Sequence, residues 1–169
     1  MTWFSARTAA HSCVPVPPDS IWQVLTDPAV LATLTPLVRS IEPHGEHWRW
    51  TLHGIDGLGV RGQATFTEQM EFIAGRRIIF TPDPPPGSPE RAAIDGVYTL
   101  DPSPDGGCEV GIDLTARVDL PLPGLARRTV ESIMGATMRS TGERFATNLY
   151  EHLGLDPADA NIEGDDTTP

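Results

Sequence analysis

The stretch from Leu122 to Leu153 carries the only long helical pattern in the chain, and it restricts the fold more than any other feature. Pro121 and Pro123 stand where a first helical turn has no use for its N–H groups. Gly154 marks a left-handed stop, and Pro157 prevents the helix from resuming. Between these ends Val130, Met134, Met138, Thr141, Phe145 and Leu149 recur at steps of three or four, which makes one apolar face. At roughly 1.5 Å per residue such a helix would run about 48 Å, longer than any strand here. Gly135 and Gly142 weaken it by about 1 kcal/mol each relative to Ala, so each is expected to mark a close backbone approach or a bend. A helix with one apolar face needs something to lie on.

The rest of the chain supplies strands. Residues 2 to 14 form a first strand with Phe4, Ala6, Ala10 and Val14 on one face. After Val16-Pro17-Pro18, Asp19 or Ser20 caps a short helix beginning at Ile21. Asp27-Pro28 ends it and starts a second, Ala29 to Leu34, because Asp caps and Pro fits a first turn. Strands follow at Ser40–His44, Glu46–Gly54, Gly57–Phe72 and Arg77–Thr81. The clearest alternation sets Val60, Gly62, Ala64, Phe66, Glu68, Met70 and Phe72 against Arg61, Gln63, Thr65, Thr67, Gln69 and Glu71, one dry face and one wet. Residues 82–89 are too rich in proline to pair and form a stiff loop. A final hairpin joins Ala92–Leu100 to Cys108–Leu120. In its second strand Val110, Ile112, Leu114, Ala116 and Val118 face inward, while Asp113 and Arg117 belong to the surface, as Arg61 does. An antiparallel sheet with one apolar face needs a cover, and only the last helix is large enough. The fold class is therefore α+β, a seven-stranded sheet curled around a terminal helix, in one domain over residues 1–154.

Charge removes several function classes. The net charge of −11 argues against nucleic acid, where Lys and Arg on phosphates dominate affinity, and against anionic lipid. Five acidic residues after Gly154 (Asp156, Asp159, Glu163, Asp165, Asp166) give residues 155–169 the composition of a solvated, disordered tail. No apolar run is long enough to span a membrane, so no stable insertion is expected. The N-terminus lacks a basic segment followed by an apolar one, which points to the cytoplasm. Cys13 and Cys108 have no zinc spacing and are read as free thiols. His11, His44, His47, His53 and His152 show no ligand pattern, so neither a metal nor any other cofactor is called for. There is no nucleophile-His-Asp arrangement and no phosphate-binding glycine loop.

The element order, together with Val16-Pro17-Pro18-Asp19-Ser20-Ile21-Trp22-Gln23-Val24-Leu25-Thr26-Asp27-Pro28, resembles the START-like (SRPBCC) helix-grip superfamily. Gly96-Val97-Tyr98-Thr99-Leu100, Asp105-Gly106-Gly107-Cys108-Glu109-Val110 and the closing helix extend the likeness over residues 2–153. That superfamily includes polyketide cyclases and dehydratases, lipid-transfer domains, birch-pollen-type allergens and an accessory component of carbon monoxide dehydrogenase. Trp22 and Asp27-Pro28 are packing and capping residues, so the motif identifies fold better than activity. The resemblance implies an apolar cavity between sheet and helix that takes a lipid, a polyketide, an isoprenoid-like compound or another hydrophobic small molecule.

On that reading Trp48, Trp50, Leu52, Phe66, Met70, Ile78, Phe80, Tyr98 and Ile112 face the helix, and Met134, Met138, Thr141 and Phe145 face the sheet. Aromatic rings with flexible Met side chains suit an adaptable pocket, and they would fill a core equally well. Glu68 is the most informative position. By parity it points with Phe66 and Met70, where apolar surroundings would raise its pKa toward that of a general acid or base; the alternative is a strand end open to water. Tyr98 either donates to a ligand oxygen or finds a backbone partner. Three functions follow: a binder of a hydrophobic small molecule, a cyclase/dehydratase-type enzyme using Glu68 and Tyr98, or an assembly module contacting another protein.

Overall fold

The computed structural model describes residues 2–53 and 64–164. The first half of the strand expected over Gly57–Phe72, including Arg61, lies outside them, as do Asp165 and Asp166. In chain order the elements are β1 (Thr2–Val14), α1 (Pro18–Leu25), α2 (Pro28–Leu34), β2 (Val38–His44), β3 (His47–Leu52), β4 (Ala64–Ile73), β5 (Arg77–Pro82), β6 (Ala92–Pro102), β7 (Cys108–Leu120), α3 (Arg127–His152) and β8 (Glu163–Gly164). The strands form one open sheet in the order β2-β3-β4-β5-β6-β7-β1-β8. Every pairing is antiparallel. This is a helix-grip fold with one strand more than expected.

The extra strand comes from the segment read as a solvated tail. Up to Gly164 that segment is tied down. Leu155 and Ala160 pack against the main core, and Glu163–Gly164 pairs with Ala10 and His11 of β1. Ser12 Oγ donates to the Asn161 carbonyl at 2.7 Å. Two leucine- and alanine-sized contacts and an open strand edge outweigh an acidic composition that by itself suggests disorder.

Local chemistry explains most element ends. Asp27 caps α2, its carboxylate accepting from the Ala29 and Val30 amides at 3.0 and 3.1 Å. Helix α1 has no such cap. It starts at Pro18 behind an extended Pro17, and Asp19 sits in its first turn rather than at its boundary. Helix α3 also starts later than the sequence suggests. Pro123 is extended, Gly124–Ala126 is a single 3-10 turn, and the α-helix begins at Arg127. Its far end matches expectation: Gly154 has φ +73°, Leu155 N donates to Tyr150 O at 2.9 Å and Gly154 N to Glu151 O at 3.1 Å. That pair of bonds is a Schellman stop. Neither glycine within α3 marks a close approach, since Gly142 has open space beside it and Gly135 meets only the end of Arg139.

Helix α3 comes nearest the sheet at β1. Side chains lock it there: Ser5 N donates to Glu131 Oε1 at 3.2 Å, Arg127 donates to the Trp3 carbonyl at 3.3 Å, and Tyr150 Oη donates to the Cys13 carbonyl at 3.3 Å. The first two occupy backbone groups on the open edge of β1, which would otherwise invite another strand. Asn148 ties the same helix to the end of α2 through Leu34 O at 2.9 Å. At Gly96 a side chain would collide with the Asp113 carbonyl and Leu114, so glycine permits β6 and β7 to approach closely there.

Candidate functional site

Register and burial together define the inner face. Across β1 and β7 the inward pairs are Phe4 with Val118, Ala6 with Ala116, Thr8 with Leu114, Ala10 with Ile112, Ser12 with Val110, and Val14 with Cys108. On β6 the same face presents Ala92, Ile94, Gly96, Tyr98 and Leu100. Burial along these strands is not uniform. Phe4 and Val14 close β1, Cys108 and Leu120 close β7, and Ala92 and Leu100 close β6, all buried. The inward residues between them keep part of their surface: Ala6, Thr8, Ala10, Ile94, Tyr98, Ile112, Leu114 and Ala116. Helix α3 repeats the pattern. Val130, Met134, Leu149 and Tyr150 are buried, whereas Met138, Thr141 and Phe145 on the turns between are half-exposed.

Most of the buried hydrophobic residues fall into two clusters. One joins Phe4 and Leu120 to Val130 and Met134. The other gathers Ile21, Leu25, Leu31, Leu34, Trp48, Met70, Ile78, Phe80, Leu100, Leu149 and Tyr150 around α1 and α2. Of the expected lining residues, Met134 belongs to the first cluster, Trp48, Met70, Ile78 and Phe80 belong to the second, and Trp50, Tyr98 and Phe145 pack against the second while partly buried. Trp22 rests edge-on against Phe72 at 6.3 Å between ring centroids, a packing role. Trp50, Leu52, Tyr98, Ile112, Met138, Thr141 and Phe145 retain accessible surface. Reading the sequence did not single out the small inward residues Ala6, Ala10, Gly96 and Ala116, although their alternation with larger inward neighbours is visible.

Glu68 sits on this face, opposite Trp48 on β3 and Pro82 on β5. It is only 2 % exposed, so the alternative of a strand end open to water does not hold. Burial raises its pKa from 4.5 to about 8, Asp95 pushes the same way, and the Trp50 indole N–H pulls against both. That N–H makes no hydrogen bond of acceptable geometry itself: Trp50 Nε1 is buried and unpartnered. The Trp50 ring stacks on Phe66, with centroids 5.8 Å apart and planes 8° from parallel. Tyr98 packs beside Phe80 at 5.9 Å, and burial together with the nearby Glu68 raises its phenol pKa. A carboxyl that stays protonated near neutrality is both a hydrogen-bond donor and a potential general acid.

The opposite side of the sheet is ordinary surface. Arg7 pairs with Asp113 at 2.6 Å, and Arg117 pairs with Asp95. Glu90 holds the Pro82–Pro89 loop against β4, accepting from Thr67 N and Thr67 Oγ1, each at 2.7 Å. Cys13 is exposed and Cys108 buried, both free. Two surface hollows, of about 330 Å3 beside Gln23, Asp27 and His152 and about 400 Å3 beside Gln69, Glu71 and Thr81, include neither Glu68, Trp50 nor Tyr98. Among the described residues no group of three or more His, Cys, Asp and Glu is placed to hold a metal ion. No helix among them is long and apolar enough to cross a membrane.

Comparison with known proteins agrees with this geometry. A conserved protein from Geobacillus kaustophilus superposes with a TM-score of 0.68 at 15% identity, covering 93% of this chain and 99% of that one. A START superfamily protein from Mycobacterium smegmatis gives 0.64 at 15% identity, over 88% and 97%. The Zhui aromatase/cyclase from Streptomyces sp. R1128 gives 0.63 at 14% identity, over 89% and 94%. At these identities the likeness is one of fold. No curated protein matches the sequence. The family model described as "Polyketide cyclase / dehydrase and lipid transport" matches residues 6–151. The chain belongs to the polyketide cyclase/dehydrase and lipid transport family.

Proposed function

We propose that this protein binds a hydrophobic small molecule in a cavity between the inner face of the sheet and α3. The observation that carries the reading is the burial profile: on β1, β6, β7 and α3 alike, inward residues are buried at both ends and accessible in the middle. A core filled by its own side chains would be buried throughout, because interiors pack at crystal-like density. Small residues at Ala6, Ala10, Gly96 and Ala116 leave room, and Trp50, Tyr98, Met138 and Phe145 surround it with rings and a flexible thioether. Native mass spectrometry of freshly purified protein should show co-purified lipid-like mass. Repeated spectra of empty protein, together with no uptake of added apolar ligands, would overturn the reading.

A second reading has its own observation, the inward carboxyl whose pKa stands at about 8. On it the protein is a cyclase/dehydratase-type enzyme in which Glu68 exchanges a proton with a bound polyketide-like substrate and Tyr98 orients a carbonyl. Glu68→Gln should then abolish turnover while leaving binding in place, and an unchanged rate would remove Glu68 from the chemistry.

A further inference from the structure

Glu68 and Trp50 raise a question the apolar wall does not answer. A buried polar group without a partner is costly, and the Trp50 N–H is such a group. It lies beside a carboxyl that is itself 2 % exposed and, among the described residues, has no cation near it. The chain contains no lysine. All the described arginines are exposed. From β3, Glu68 meets Trp48 and Trp50, and from β5, Pro82. From β6 it feels Tyr98 and, through the sheet, Asp95, whose side chain is engaged by Arg117 on the outer face. The inward stripe of α3, Met134, Met138, Thr141 and Phe145, carries no titratable group.

Resting on the binding reading above, we infer that the grip discriminates by charge: Trp50 Nε1 and the Glu68 carboxyl form a neutral donor pair that takes an uncharged acceptor oxygen, such as a ketone or quinone carbonyl on an apolar skeleton, and turns away carboxylates. The chemistry runs one way. A carbonyl oxygen accepts from the indole N–H and from a protonated carboxyl at once, and so satisfies both. A fatty-acid carboxylate would enter a low-dielectric wall with no counter-charge and with Asp95 adding negative potential. An ammonium would pair with ionised Glu68 but leave the Trp50 N–H unsatisfied. Above about pH 8 Glu68 loses its proton, its donor becomes an acceptor, and the carbonyl should be expelled.

The test uses four ligands on one ring system, followed by equilibrium dialysis at about pH 6: 9-fluorenone, fluorene, fluorene-9-carboxylate and 9-aminofluorene. Fluorenone should bind about tenfold more tightly than fluorene, as expected for one or two net hydrogen bonds. The carboxylate should bind more weakly than fluorene. The fluorenone-to-fluorene ratio should fall toward one in Trp50→Phe and Glu68→Leu and survive in Glu68→Gln, whose amide still donates. Raising the pH to about 9 should weaken fluorenone in the native protein and leave it unchanged in Glu68→Gln. Equal binding of fluorenone and fluorene overturns the inference and leaves the binding reading standing. So does preferred binding of the carboxylate or the amine. Failure of all four to bind overturns both. If Trp50→Phe does not fold, the Glu68→Gln titration decides alone.

Discussion

Phe4, Leu120, Val130 and Met134 at one end of the grip, and Ile21, Leu25, Leu149 and Tyr150 at the other, leave almost nothing accessible. Met138, Thr141 and Phe145, on the turns of α3 between those ends, keep part of their surface, as do Tyr98, Ile112 and Leu114 facing them on the sheet. The two regions use the same residue types on the same faces. What differs is what stands opposite. At the first end a large side chain meets a large one, and Arg127 covers Phe4 from outside at 5.6 Å. Across the middle, alanines and a glycine on β1, β6 and β7 stand where large side chains would be needed to meet the helix. Among the described residues the one buried carboxyl, Glu68, lies on the same inner face.

Mutations can break this contrast. Phe4→Ala should be the most damaging, costing about 3–5 kcal/mol in chemical denaturation, because the ring is fully buried in a cluster that cannot readily collapse. Next comes Glu68→Gln, through its pH dependence. Folded Glu68 holds its proton up to about 8, whereas the unfolded chain releases it near 4.5. The folded state therefore binds the extra proton between these values, and its stabilisation, complete below 4.5, is lost as pH rises through about 8. The native protein should lose several kcal/mol across that window relative to Glu68→Gln, at most about 1.4 kcal/mol per pH unit. Parallel stability curves for the two proteins would show that the carboxyl is solvated after all.

Phe145→Ala sharpens the contrast from the other side. A half-exposed ring on the open middle should cost only about 1–2 kcal/mol, and co-purified ligand should fall more than stability does. A loss equal to that of Phe4→Ala would mean that the middle is packed like the ends. The smallest effect is expected at Asp27→Ala, about 1 kcal/mol from the α2 cap, because it only loosens the helices that close the far end. Thermal melts suffice to read it.

Much of the fold was legible because it rests on local rules. The inward parity of β7 from Val110 to Val118, the Asp27 cap and the Gly154 stop each depend on a few consecutive residues. So does the inward placement of Glu68, which needs only the alternation of β4. Other features depend on distant partners and left little trace. Nothing near Glu90 announces that it will hold Thr67, and nothing in the acidic composition after Gly154 announces a strand on β1. The start of α3 was misplaced because Pro123 is equally at home as the residue before a helix and inside its first turn.

The sequence by itself determined which face of each strand and of α3 is apolar, since a period of two or of about 3.6 is a property of the chain alone. Only the tertiary structure decided which of those apolar residues are buried and which keep accessible surface, and that Glu68 is buried beside Trp50. The physical reason is that periodicity reports direction and carries no distance: whether an inward side chain touches anything depends on the size and position of a residue folded back from elsewhere in the chain.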